Sequence, residues 1–404
     1  MSDKPGVSTE KKHPHILQDE INALFKSEWQ PWVGGILIGI ISVLMYAYSR
    51  PWGVALGVRN WGEWMLYPLG VVKSAPPSPL SFTTSVTNLS LIYGSFVASL
   101  LAGQFALRMP NLRDSLRGVF GGVLMGIGAA LGMGCTIGGF YTSFISLSLA
   151  GPLMMAGLLM GAYLGLKLLI WDISREPAFT AKPQGKKRTF KNLQPYQPLI
   201  GAAVLALTVV WLLADKTEFT SRGVSGLRSI LIMFGMALGF ISQRSRFCFS
   251  RSFREPFMTG DGSMTKAVVL AILIGLAGFS IIKGTDLADY RDPAEFVNPS
   301  VWIGSLTGGL IFGIGMIFAG GCASGSMWRA GEGQVKLWLV LVVFSATMAS
   351  FSLFLQNVAN RRGWGEKAVF LPTHLGWMGA ILLLVGLSLL WYLFAAWMEK
   401  RSGG

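Results

Sequence analysis

The three cysteines are the residues of this sequence best suited to chemistry. Cys135 lies in the run GMGCTIGG and Cys322 in the run AGGCASGS, so glycines flank both thiols. Glycine lets the backbone leave a helix, and a new helix that starts at such a break directs its amide N–H groups and positive dipole end at the break. Those groups favour an anion. A thiol is soft and polarizable, which suits a ligand that contains sulfur.

Small polar residues and glycines lie directly beside these two thiols: Thr136, Ser324, Ser326, Gly134 and Gly321. The hydroxyls add hydrogen-bond donors. The alternative is that each cysteine is only a small apolar residue in a close contact between helices, as GxxxG-type packing needs. A single cysteine favours that alternative, whereas two cysteines at equivalent positions of an internal repeat favour a functional site.

The third cysteine, Cys248, lies in the run SQRSRFCFSRSFREPF, where four arginines surround it: Arg244, Arg246, Arg251 and Arg254. Such a cluster either attracts an anion to a thiol or only marks the cytoplasmic end of a membrane span, and the local pattern does not decide between the two. We take Arg246 and Arg251 as candidate anion-attracting residues. Arg329 is a third candidate, although its spacing from Glu332 slightly favours a structural ion pair.

The composition predicts that these residues lie in a membrane protein. Of the 404 residues 52% are hydrophobic and 13% charged, and the mean hydropathy is +0.51. Soluble domains carry about 25% charged residues. Apolar stretches close to the roughly 20 residues that span a bilayer recur along the chain: 30–48, 86–107, 150–171, 196–214, 227–243, 265–283, 336–356 and 375–397.

Two further apolar stretches, 118–148 and 301–328, hold the glycine-flanked cysteines and are predicted to be discontinuous spans. Residues 51–85 contain Trp and Pro and predict a loop with a short interfacial helix. The fold class predicted is therefore an all-α polytopic membrane protein. Non-helical backbone at membrane depth is tolerated where it lines a cavity or is buried in protein, so we expect the two broken spans to meet near the midplane.

An internal repeat organises the chain. Residues 118–141 align without gaps with residues 305–328, and the alignment places Cys135 on Cys322. Each half then has about five crossings if its cysteine segment crosses once, and an odd number inverts the second repeat relative to the first, as in many transporters. We expect this division: a cytoplasmic tail 1–29, a first repeat 30–214, a second repeat 227–397 and a cytoplasmic tail 398–404.

The distribution of basic residues predicts the orientation. With ten crossings and an N-terminus inside, the inner segments hold 21 Lys and Arg residues and the outer segments hold nine. Cytoplasmic loops carry the excess of Lys and Arg. Both termini are therefore expected in the cytoplasm, with the acidic loop GTDLADYRDPAEFVNPS outside.

The sequence lacks the motifs of several common enzyme and nucleotide-binding classes. The chain lacks a GxxxxGK[ST] loop, a Rossmann fingerprint, an HExxH pair and a GxSxG elbow, and its three histidines lack metal-ligand spacing with the cysteines. We therefore expect neither a cofactor nor a metal. A membrane thiol oxidoreductase would want a CxxC pair or two cysteines able to meet, and the sequence offers isolated ones. A passive channel and an accessory subunit also stay open.

The runs GMGCTIGGFYTSF, RSRFCFSRSFRE and AGGCASGSMWRAGEGQVKLW, taken in order, resemble the YeeE/YedE family of bacterial inner-membrane sulfur-compound transporters. The resemblance covers residues 30 to 397 and is closest to the longer YedE-type members, which are linked to selenium metabolism. It implies import of a thiosulfate-like anion, or alternatively of a selenium species.

The resemblance also implies that the anion passes along cysteines by S–H···S hydrogen bonds, and these roles fall on Cys135, Cys248 and Cys322. It implies a TusA-like sulfur carrier as the cytoplasmic partner. One departure concerns the first half: aligning Arg50 with Arg246 puts Trp52, not a cysteine, opposite Cys248. The predicted relay is therefore asymmetric.

Overall fold

A computed structural model describes residues 25–175, 187–188, 194–221, 224–285, 297–298, 302–362 and 368–402. These residues are mostly helical, as the composition predicts. The helices are α1 Pro31–Tyr48, α2 Ala55–Leu66, α3 Thr83–Leu101, α4 Leu112–Leu131, π1 Thr136–Thr142, α5 Ser143–Ile145, α6 Ala150–Ser174, α7 Gln197–Ala214, α8 Arg228–Arg244, α9 Phe249–Met258, α10 Ser263–Gly284, α11 Trp302–Ala319, α12 Ala323–Gly331, α13 Val335–Arg362 and α14 Pro372–Arg401.

Two short antiparallel ladders tie loops together. Strand β1, Leu107–Arg108, pairs with β2, Lys187–Arg188, and strand β3, Glu218–Ser221, pairs with β4, Val224–Leu227. Both ladders lie in connections between helices. They add no layer to the helical bundle.

Nine helical segments within the described residues are long and apolar enough to span a membrane. The protein is therefore a multi-pass membrane protein. The tenth predicted crossing, 227–243, forms α8, which has 17 residues. It packs along α3, where Gly235 meets Thr87 and Gly239 meets Leu91.

Close contacts at glycines fix the relative directions of the helices around the cysteines. In α4, Gly121 packs against Ala319 and Gly128 against Phe312, so α4 and α11 run antiparallel. In α6, Gly157 packs against Leu310 and Gly165 against Ile314, so α6 and α11 run parallel. Two segments of an inverted repeat would run antiparallel, as α4 and α11 do; the inverted repeat itself stays a prediction.

After α4, the chain that carries Cys135 returns to the side of the bundle on which α4 ends. Because α4 and α6 are antiparallel, the chain from 132 to 149 begins and ends on one side of the bundle, and a bridge from Ser148 to Phe370 marks that side. We call it face B. Face A is the opposite side, where Trp29 N–H donates to Arg244 O (2.9 Å) and Arg108 N–H to Gly333 O (2.9 Å).

Four short helical segments follow breaks after long helices, and we call them the half-helices: α2, π1 with α5, α9 and α12. The first two enter from face B and the last two from face A. Helix α2 lies where the sequence predicts a loop with an interfacial helix. It is instead part of the bundle, because Gly57 packs against Thr84 of α3 and Gly62 against Ser345 of α13.

Candidate functional site

Each cysteine is the N-cap residue directly before a half-helix. Cys135 caps π1 and its Sγ accepts a hydrogen bond from Ile137 N–H (3.4 Å). Cys322 caps α12 and its Sγ accepts from Gly325 N–H (3.4 Å). Cys248 holds the cap position of α9 without such a bond. The amide-rich ends of three half-helices therefore face the thiols, two of which, Cys135 and Cys322, lie in the glycine-flanked runs that predict such ends.

The chain turns before each cysteine through a residue with left-handed backbone. These residues are Met133 (φ 48°), Arg246 (φ 53°) and Gly320 (φ 87°), and each precedes its cysteine by two positions. A left-handed residue often ends a helix, and glycine adopts it without strain. Met133 and Arg246 adopt it at a cost of about 1 kcal/mol, so packing around the cysteine loops over-determines their conformation.

The structure brings Cys248 and Cys322 together. Their Sγ atoms lie 3.9 Å apart, and both side chains are buried. The sequence analysis treats the cysteines as isolated, and that view is wrong for this pair because α9 and α12 both enter the bundle from face A and meet at their first residues. Gly325 allows the approach, since a Cβ there would lie 2.6 Å from Cys248 Sγ.

Cys135 approaches the same point from face B. The backbone N–H of Ala55, at the start of α2, lies near the Cys135 thiol. The N-terminal ends of α2 and π1 therefore meet at Cys135. The neighbouring Thr136 side chain lies beside Cys322. The hydroxyl of Ser324 lies 3.6 Å from Cys322 Sγ. The structure thus assembles all three predicted cysteines with Thr136 and Ser324.

Two hydroxyls of this assembly are buried without a hydrogen-bond partner in the part of the chain that the structure describes. They are Thr136 Oγ1 and Ser326 Oγ, and both side chains are 0% exposed. A buried polar group without a partner costs about 1–3 kcal/mol. Gly321 faces Ser326, where a Cβ would lie 3.3 Å from its Oγ, and Gly134 packs on Gly139. Gly321 therefore leaves room beside the Ser326 hydroxyl, and Gly134 allows the turn before Cys135 to pack on π1.

Aromatic rings from the cysteine segments pack against one another. Trp52, which the repeat places opposite Cys248, lies in the break between α1 and α2, with its ring centroid 6.3 Å from that of Tyr141 and 6.4 Å from that of Phe249. Its carbonyl accepts a hydrogen bond from Thr142 Oγ1 (2.6 Å). The fourth break thus supplies a bulky ring where the other three supply thiols.

The predicted anion-attracting arginines differ in their surroundings. Arg246 forms ion pairs with Glu28 (2.9 Å) and with buried Glu332. Because Glu332 pairs with Arg246, the predicted pair of Arg329 with Glu332 is wrong. Arg329 donates to Gly320 O instead (2.6 Å).

Three arginines act electrostatically on Cys248. These are Arg251, Arg254 and Arg329. Arg251 (2.5 Å) and Arg254 (4.0 Å) both form an ion pair with Glu255. Arg254 is not among the predicted site residues, although it belongs to the same sequence run as Cys248. Its Nε has no hydrogen-bond partner among the described residues. No group of three His, Cys, Asp or Glu side chains that could hold a metal ion occurs in that part either.

A family model described as sulphur transport matches residues 6–164 and 244–403, which is most of the chain. The chain belongs to this family. The match includes the three cysteine runs on which the resemblance to the YeeE/YedE family rests. A member of the sulphur-transport family is a transporter of sulfur compounds and not an enzyme.

Three relatives support this assignment. The probable transporter YedE of Escherichia coli (strain K12) is 27% identical over 394 residues, covering 89% of this chain and 92% of the relative. The YedE protein of Salmonella typhimurium is 28% identical over 337 residues, covering 77% and 78%. The thiosulfate transporter TsuA of Escherichia coli is 37% identical over 122 residues, covering 30% and 33%. Similarity to YedE thus extends over 89% of this chain, and similarity to TsuA over 30% of it.

Proposed function

We propose that this protein imports a small sulfur-containing anion of the thiosulfate type along a central path lined by Cys135, Cys322 and Cys248. The observation that carries the proposal is the pair of buried hydroxyls without partners, Thr136 Oγ1 and Ser326 Oγ, beside thiols at half-helix ends. An oxyanion would accept the hydrogen bonds that these hydroxyls lack. The thiols would face its soft sulfur atom.

The site favours an anion electrostatically. Taking a charge out of water costs many kcal/mol unless opposite charge or donors replace the water. The ends of the half-helices contribute about half a positive charge each, and Arg254 and Arg329 act on the same region from face A. The thiols are weak hydrogen-bond donors and would hold the anion loosely. Loose binding suits a path that the ion must also leave.

The order of the path follows from the two faces. Cys135 belongs to the segment that enters from face B, while Cys322 and Cys248 belong to segments from face A. We take face A as cytoplasmic because the basic residues predict it, and the membrane as the bacterial inner membrane. The ion would pass Cys135 first and the Cys322–Cys248 pair afterwards, and a TusA-like sulfur carrier would receive the sulfur at face A.

The test is uptake of radiolabelled thiosulfate into proteoliposomes that hold the purified protein, with selenite and sulfate as competitors. We expect saturable uptake that Cys135→Ala and Cys322→Ala abolish while both variants stay folded by circular dichroism. Normal uptake in both variants would overturn the cysteine path. Uptake of selenite in place of thiosulfate would instead assign a selenium substrate to the same path.

A further inference from the structure

The pair Cys248–Cys322 is close enough for a reaction that transport of an anion does not itself use. Its Sγ atoms lie 3.9 Å apart, and both thiols are free. A disulfide has an S–S distance of about 2.05 Å, so the two sulfur atoms are about 2 Å from bonding. No side chain stands between them, because the residue that faces Cys248 from α12 is Gly325.

The two thiols belong to loops that could move towards each other. Cys248 and Cys322 both follow a left-handed turn residue, at Arg246 and Gly320, which ends the preceding long helix. The sulfur atoms belong to the N-cap residues that precede α9 and α12, and not to residues within helical turns. A shift of about 2 Å of one sulfur atom towards the other would close the gap, and the loops that hold them lie outside the long helices.

We propose that Cys248 and Cys322 form a reversible disulfide that closes the path, so that oxidation of this pair switches transport off. The inference rests on the proposed function, since it assigns regulation to the same path. In the step, a peroxide takes two electrons from the thiols: Cys248–SH and Cys322–SH lose their two hydrogens, one S–S bond forms, the O–O bond breaks, and hydrogen peroxide leaves as two water molecules.

The disulfide would stop transport for two reasons. It removes both S–H donors from the point where the face A half-helices meet, and it joins the two half-helices by a covalent bond. Cys135 lies on the opposite segment and keeps its thiol. Thiol exchange with a small dithiol reverses the bond by attack of a thiolate on one of its sulfur atoms.

The test counts free thiols and measures uptake on the same preparation. The full-length protein in proteoliposomes is treated with hydrogen peroxide, washed, and either denatured for maleimide counting or supplied with radiolabelled thiosulfate. We expect the three free thiols of the reduced protein to fall to one, thiosulfate uptake to be lost, and dithiothreitol to restore both. Restoration separates the disulfide from irreversible oxidation.

Two single variants identify the pair. Cys135→Ser keeps the pair, so its two thiols should fall to none, whereas Cys248→Ser leaves Cys135 and Cys322 on opposite segments, so its two thiols should remain. Three free thiols after treatment of the unaltered protein, or a disulfide that leaves uptake unchanged, would overturn the inference. Failure of the untreated protein to take up thiosulfate would count against the proposed function, while the thiol count would still report on the pair.

Discussion

Gly325 lies so close to Cys248 that a Cβ added to it would stand 2.6 Å from the Cys248 Sγ and 3.3 Å from the Cys322 Sγ. Position 325 therefore requires glycine, because any side chain there would push the two thiols apart. Its counterpart in the repeat, Gly138, meets nothing within 4 Å. The repeat alignment makes these two glycines equivalent, but in the structure only Gly325 has close neighbours that a side chain would meet.

The substitution Gly325→Ala should push the two thiols apart and abolish thiosulfate uptake. Overpacking at such a contact destabilises a protein by about 1–3 kcal/mol, so the variant should remain folded. Gly138→Ala is the matched control and should transport normally. Uptake in proteoliposomes and thermal unfolding in detergent measure both properties. Equal uptake by the two variants would contradict the role given to the Cys248–Cys322 contact.

The sequence predicts most of the bundle and part of the site. The apolar stretches and the glycine-flanked cysteines predict the long helices and two of the breaks, because hydrophobic length and backbone freedom are local properties. Helix α2 is missed as part of the bundle because its 12 residues are too few to span the membrane and its polar residues resemble those of a loop. Its place depends on glycine contacts with α3 and α13, which a single sequence does not reveal.

The partners of the charged residues cannot be predicted from the sequence either, because they are distant along the chain. Arg246 finds Glu332, 86 residues away, because the α8–α9 and α12–α13 connections meet on face A. Arg329 and Glu332 are three residues apart in the sequence, which favours a local ion pair, but this ion pair does not form. Likewise, Cys248 and Cys322 meet across 74 residues, and only the packing of the two half-helices brings them together.

The substitution Arg246→Ala should destabilise the protein through the loss of its ion pair. The Glu332 side chain is 1% exposed, and removal of one partner from a buried pair costs about 3–5 kcal/mol because the other charge stays buried. Arg59→Ala is the control: Arg59 is as exposed as Arg246, but its partner Glu63 is 19% exposed, and such pairs contribute about 1 kcal/mol or less. Denaturant unfolding in detergent compares the two losses.

A second variant tests the cause of that loss. Adding Glu332→Gln to Arg246→Ala removes the uncompensated charge, so the double variant should recover most of the lost stability. A double variant no more stable than Arg246→Ala would show that the arginine stabilises through packing on Trp328, whose ring centroid lies 5.8 Å from its guanidinium.

The substitution Thr136→Val should lower uptake without lowering stability. The Thr136 hydroxyl is buried without a hydrogen-bond partner among the described residues, so its removal costs no hydrogen bond within the protein and takes a donor from the bound anion. Thr142→Val is the control, because the Thr142 hydroxyl donates to Trp52 O (2.6 Å). That variant should lose about 1 kcal/mol of stability, the net value of one hydrogen bond. Kinetics of thiosulfate uptake and unfolding curves separate the two effects, and an unchanged KM and rate in Thr136→Val would remove its hydroxyl from the site.

The orientation is testable with two lysine positions on opposite faces. Lys73 lies in the α2–α3 connection on face B and Lys400 at the end of α14 on face A, and both are exposed. The native thiols are buried, with at most 1% of each residue exposed, so a membrane-impermeant maleimide should label only an introduced cysteine. In intact cells we expect labelling of Lys73→Cys, and labelling of Lys400→Cys only after permeabilisation. The opposite pattern would place face A outside and reverse the direction in which the anion meets Cys135 and the Cys322–Cys248 pair.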